Sequence, residues 1–295
     1  MISSKLPVCR LLDDHFDDLF NGLQEALSIY EEEVASNELE KHIDISSKDS
    51  IGSYAEIRNI SKPRIFLSEE FLQLLWCNSF SFLSMFDHGY KQPMLNGCYQ
   101  GELEDNAETR NARRVFGYGM SSINGQNNVE DVDLIYSLQA KIYEDEYVSK
   151  SSKVFACAMA FVILHEIIHL RFKHLDCDGG KEDEYVADKM ALETLLQVDI
   201  KLRRTAIIGV VVAISSLCLL PDGMSGSDTH PDTDDRIDRM LCHMQISSED
   251  DCYCLTSIFY LLWLGWKGCD TSLRSEYQCC KELYDEVRGY VSLHK

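Results

Sequence analysis

The segment AMAFVILHEIIHLRFKHLDCDGGKEDEYVADKMA, residues 158–191, sets two histidines and a glutamate, His165, Glu166 and His169, inside one of the most apolar runs of the chain. The preceding VFACAMAFVIL holds neither Gly nor Pro, so a helix is predicted to run through the motif. Residues four apart share a helical face, which lets both imidazoles reach one ion with Glu166 beside them. Imidazoles and a carboxylate in so apolar a run are costly unless they are paired or bind a metal. A metal with an open position for water needs a third protein ligand. The pattern with a glycine three residues and a histidine six residues after the second histidine is excluded, because Phe172 and Leu175 stand there. His174 is expected at the surface. Glu184 and Asp188 are the better pair: they lie four apart on one helical face, after a turn at Gly179 and Gly180 that folds the two helices back on each other. Glu184 can complete the site while Asp188 accepts an N–H from a ligating imidazole. Glu182 and Asp183 compete with Glu184 for that role.

The rest of the chain narrows the function class. With 295 residues, 45% hydrophobic and 26% charged, it has the composition of a globular protein with a real core. A formal net charge of −21 argues against nucleic acid, whose phosphates require clustered Lys and Arg. The N-terminal MISSKLPVCRLLDDHFDD has no apolar run and reads as neither signal nor transit peptide, so a cytoplasmic protein is expected, with its 12 cysteines as thiols. The C-terminal cysteines are spaced C-x-C and C-C rather than as the C-x2-C pairs of a zinc site. Thr205–Leu220 is uncharged over 16 residues, whereas a spanning helix needs about 20. It reads as a core helix, as does Ser257–Trp266, and membrane association is not expected.

Periodicity predicts a mainly α protein of the α+β kind, with at most a small sheet. The first 45 residues read as one acidic amphipathic helix, SKDSIGSYAEIRNISKP as loop, and RIFLS as a short strand leading into a helix near Ser68. Residues 91–128, with Pro93 and five glycines, read as irregular around a short helix at NAETRNARRVF. Two regions are expected: 1–128, mainly helical, recognising substrate or a trigger, and 129–295, carrying the chemistry.

HEIIH, EYVAD and THPDTDDRIDRM, in that order within about residues 155–240, resemble the gluzincin metallopeptidases, in particular the CAAX-prenyl-endopeptidase pattern of H-E-x-x-H, E-x-x-A-D and a later H-P with R-I. The central HEIIH and the upstream FLSEEFLQLLWCNSFSFLSMFD look more like the phage-exclusion Lit peptidases, zinc proteases implicated in abortive infection. The ImmA/IrrE type shares the two helices and does not account for HPDTDDRI. The resemblance implies a zincin-like helical core for 129–295, Zn2+ on His165, His169 and Glu184, and Glu166 as general base. It also implies His230 as a catalytic donor to the oxyanion, with Asp188 and Arg236 supporting the ligands. At two positions alternatives stay open. His230 either faces the cleft or merely precedes a helix started by Thr229, Pro231 and the following aspartates, and Arg236 pairs with either Asp188 or Asp232. The implied function is a zinc-dependent endopeptidase cleaving a cytoplasmic protein such as a translation factor, in antiviral defence and with a phage-derived activator. The other readings are an inactive helical interaction protein on the same scaffold and a membrane-associated prenyl-type protease.

Overall fold

The His-bearing segment forms the longest helix of the computed structural model, which describes residues 6–51, 54–59, 62–91, 105–125, 129–172, 180–220, 223–228 and 230–295. Upstream of it stand α1 (Pro7–Leu19), α2 (Ser28–Ala35), β1 (Asp44–Ser46), the single turn α3 (Lys48–Ile51), β2 (Ala55–Asn59), β3 (Pro63–Ser68) and α4 (Glu69–Met85). A π-helical turn, Phe86–Lys91, extends α4, and α5 (Ala107–Ile123) and α6 (Val129–Gln139) follow. The remaining helices are α7 (Glu146–Arg171), α8 (Lys181–Leu195), α9 (Ile200–Cys218), α10 (Thr233–His243), α11 (Asp251–Trp266) and α12 (Cys280–His294). The protein is mainly α with a small sheet, as the periodicity predicts.

Helix α7 starts where Asp145 accepts hydrogen bonds from the amides of Tyr147 (2.8 Å) and Val148 (3.2 Å). Every residue from Val154 to His165 is buried. A helix apolar on all sides belongs in the interior, and α7 is surrounded by α4, α8 and α9. Among the described residues it is the one helix long and apolar enough to cross a membrane, with 83% of that window buried inside the protein. Residues 205–220 supply most of α9, whose Gly209–Ser216 run is buried against α7. Gly209 sets the spacing of that pair: a Cβ there would lie 2.6 Å from Cys157 Cβ and 2.9 Å from the Ala158 amide nitrogen. Gly209→Ala is therefore expected to cost about 1–3 kcal/mol through overpacking, visible as a fall of several degrees in Tm; an unchanged Tm would show that the two helices can separate freely.

The second interior helix, α4, is capped by Ser68, which accepts from the Phe71 amide at 3.1 Å, and is buried throughout Phe71–Phe82. Its polar side chains bind its neighbours together. Gln73 accepts from the Val8 amide of α1 (3.0 Å), Trp76 Nε1 donates to Ser152 Oγ of α7 (3.3 Å), and Asn78 Nδ2 donates to Ser216 Oγ of α9 (2.8 Å). The last two bonds join residues before and after position 128, and one continuous apolar core extends across both parts of the chain.

Three local expectations are revised. Where one helix was expected over the first 45 residues, the described part, from residue 6, holds two, because the chain turns at Gly22, whose φ of +90° favours glycine. The stretch read as loop contains α3 and β2. The helix in 91–128 is 17 residues long, closed at its start by a capping box between Asn106 and Thr109; residues 92–104 and 126–128 of that stretch, with Pro93, lie outside the described residues. The sheet has the order β1-β3-β2, with β1 parallel and β2 antiparallel to β3, Ile57 opposite Ile65. This leaves β2 as an edge strand lying against α7, which brings it to the chemistry.

Candidate metal centre

His165 and His169 sit in the last two turns of α7 with their Nε2 atoms 3.0 Å apart. Glu184, in the first turn of α8, brings Oε2 to 3.5 Å from His165 Nε2 and Oε1 to 3.4 Å from His169 Nε2. The three groups thus converge on one point, with side chains 11–12% exposed, and one ligand atom from each lies within 4.8 Å of those of the other two. The register of α8 follows from its start. Asp183 turns back to accept the Gly180 amide at 2.9 Å, and Glu182 points outward, 81% exposed and 3.9 Å from Arg239. Of the three competing carboxylates only Glu184 faces the histidines; Gly179 and His174 lie outside the described residues.

Behind these three side chains stands a buried ion pair. Asp188, 2% exposed, takes Arg236 Nε and Nη2 of α10 on its two oxygens at 2.8 and 2.7 Å, a forked pairing that fixes the carboxylate plane. Its Oδ1 is also 3.0 Å from His165 Nδ1, close though not in line with a ring N–H. Arg236 Nη1 reaches Glu184 Oε2 at 3.3 Å. Of the two partners open to Arg236 in the sequence, the fold selects Asp188. Helix α10 begins at Thr233 after Asp232, so Pro231 precedes the helix instead of forming its first turn, and Thr229 lies outside the described residues. His230 precedes that start and brings Nε2 to 3.6 Å from Glu184 Oε1, with its side chain 63% exposed. It therefore borders the site from the solvent side.

The charges explain what the cluster can hold. Burial works against ionising both Glu184 and Asp188, yet contact with His165, His169 and Arg236 overrides it, holding Glu184 far below the ordinary carboxylate range and Asp188 at about 2. Burial likewise pushes the His165 imidazole down, but the adjacent Asp188 and Glu184 carboxylates prevail and hold its proton up to about 10. Glu166 is raised instead, chiefly by burial and also by the Glu184 charge, against the lowering effect of the two histidines and of an Ile57 backbone N–H. With the imidazoles neutral, as metal binding requires, the ionised Glu184 and Asp188 facing the one Arg236 guanidinium leave a net negative charge that favours a cation between the histidines. Two imidazole nitrogens and a carboxylate with an ion pair behind one imidazole are a donor set suited to zinc.

Strand β2, which packs against α7 through the segment around Ile57, is the neighbour of the site that sequence reading missed. Its signal was the alternation of Ala55 and Ile57 with Glu56 and Arg58, a period-2 pattern hidden in a polar neighbourhood. Arg171, two residues after His169, also ties the end of α7 to α2 through Glu32 at 2.6 Å. The family model described as Peptidase U49 matches residues 65–257, from β3 into α11, including His165, Glu166, His169, Glu184, Asp188, His230 and Arg236. No curated protein and no solved structure matches the chain.

Proposed function

We propose, from the premise that the chain belongs to the Peptidase U49 family, that it is a zinc-dependent endopeptidase of the gluzincin type, with His165, His169 and Glu184 as the metal ligands. The observation that carries this reading is the convergence of those three side chains on one buried point, with the Arg236–Asp188 pair behind them. Zinc bound there would polarise the scissile carbonyl and lower the pKa of an attacking water toward about 7.

The chain's own groups supply the remaining steps. Glu166, with its proton affinity raised by burial, takes the proton of the attacking water and delivers it to the leaving amine. His230, exposed at the rim and 3.6 Å from Glu184, donates a hydrogen bond to the oxygen on which negative charge develops. Asp188 orients His165, and Arg236 keeps Asp188 ionised and fixed. The resemblance to the phage-exclusion peptidases extends the proposal to a cytoplasmic protein substrate such as a translation factor, cleaved in antiviral defence on a phage-derived signal.

Metal analysis tests the reading directly. Purified protein is expected to hold about one zinc per chain, as a three-ligand site implies. His165→Ala, His169→Ala and Glu184→Ala should each lose it, and Glu182→Ala should keep it. Asp188→Asn should bind zinc about 10- to 100-fold more weakly. Stoichiometric zinc in all three ligand variants would remove the metal centre and favour an interaction protein on this scaffold.

A further inference from the structure

The turn that carries His230 is built from backbone contacts that leave no slack. Ser227 N donates to the His230 carbonyl at 2.8 Å, and His230 N donates to Ser227 Oγ at 3.0 Å. A Cβ on Gly226 would fall 2.5 Å from the His230 carbonyl oxygen. The Gly226 amide in turn donates to Asp232 Oδ1 at 2.9 Å, so the aspartate before α10 holds the turn closed. One helical turn on, the Arg236 amide bonds to the Asp232 carbonyl at 3.2 Å. Asp232 therefore joins the loop presenting His230 to the helix presenting Arg236.

Asp232 is itself held by a residue from a different element. Lys295, at the end of α12, places Nζ 2.7 Å from Asp232 Oδ2 and 2.8 and 3.0 Å from the two oxygens of Asp234. Asp234 is 1% exposed and the Lys295 side chain 24% exposed. This differs from an isolated surface pair, which contributes little, because one ammonium serves two carboxylates and one of these is buried. Helix α12 reinforces the same face of α10 through Arg288, 3.1 Å from Asp235 and 3.2 Å from Asp238. Neither residue of α12 touches the metal ligands.

We propose that Lys295 is a positioning residue: by gripping Asp232 and Asp234 together, it fixes the contacts among Gly226, Ser227 and His230 so that His230 stays over Glu184. The catalytic consequence rests on the peptidase reading, while the positioning does not. An ammonium withdrawn from Asp232 leaves the Gly226 amide on a carboxylate free to swing toward water, and the turn loosens without any ligand being altered.

The test uses the full-length protein and two independent readouts. Hydrogen exchange at the Gly226 and Ser227 amides reports the turn itself. Lys295→Met should raise both exchange rates by about 10-fold or more, Lys295→Arg should restore protection because its guanidinium spans both carboxylates, and Lys281→Met, which removes an exposed pair with Asp285 on the same helix, should change nothing. Zinc content should stay at the wild-type level in all three. Turnover is read on a pooled library of unstructured decapeptides by mass spectrometry. There Lys295→Met should lower kcat by about 10-fold with little change in KM, since a donor acting only in the transition state is displaced. Unchanged exchange in Lys295→Met overturns the proposal. Raised exchange with wild-type kcat overturns its catalytic half. A zinc-loaded wild type that cleaves no peptide defeats the peptidase reading instead, and the exchange result then decides the positioning of the turn by itself.

Discussion

Glu166→Gln is expected to retain zinc, fold and melting temperature while losing turnover by about 100- to 10,000-fold, the range that general acid–base catalysis contributes. The substitution preserves shape and removes only the capacity to take a proton. The site contains other carboxylates, but Glu184 and Asp188 are both held strongly ionised by contact with histidine and Arg236 and are poor proton carriers. Glu166 alone is shifted toward holding a proton. Cleavage by Glu166→Gln within a few-fold of wild type, measured on the decapeptide pool, would show that another group activates the water.

Arg236→Met should produce the largest stability loss of any single change at the site, about 3–5 kcal/mol in protein stripped of metal, because it strands a buried charge. Asp188 is 2% exposed, and its carboxylate would keep one imidazole contact in place of two guanidinium bonds. Arg236→Lys should recover only part of the loss, since an ammonium cannot make the forked contact to Asp188 and reach Glu184 together. The double variant Arg236→Met/Asp188→Leu, which removes both charges, should regain most of the stability and still bind zinc weakly, for His165 has then lost its carboxylate. Urea unfolding in the presence of a chelator separates these outcomes. A loss below about 1 kcal/mol for Arg236→Met, the worth of an exposed pair, would mean that water reaches Asp188 and the pair is not buried in solution.

The convergence of His165, His169 and Glu184 was legible because helix periodicity is local. His165 and His169 share a face by spacing alone, and Glu184 shares its face with Asp188 for the same reason. What spacing cannot supply is the choice among long-range partners. Arg236 had an aspartate four residues before it and another 48 residues away, and the packing of α10 against α8 assigns it to the distant one, while Asp232 turns to Gly226 and Lys295. The same limit applies to β2. Its five residues form a strand because β3 and α7 cover it, and neither neighbour can be inferred from AEIRN. The break at Gly22 was hidden for the opposite reason, since the apolar spacing of Leu19, Phe20 and Leu23 continues across it.

The placement of the ligands along their helices has an electrostatic consequence. His165 and His169 occupy the carboxyl-terminal turns of α7, a 26-residue helix, and Glu184 occupies the amino-terminal turn of α8. Aligned peptide dipoles give a helix an effective charge of roughly half a unit at each end, positive at the start and negative at the finish. The end of α7 thus favours a cation beside its histidines, and the start of α8 favours the ionised form of Glu184. Both contributions come from backbone that the core of the protein already immobilises. On the proposed peptidase reading, the field at the reacting bond would be in place before a substrate arrives, and little of it would have to be reoriented when charge moves during the reaction.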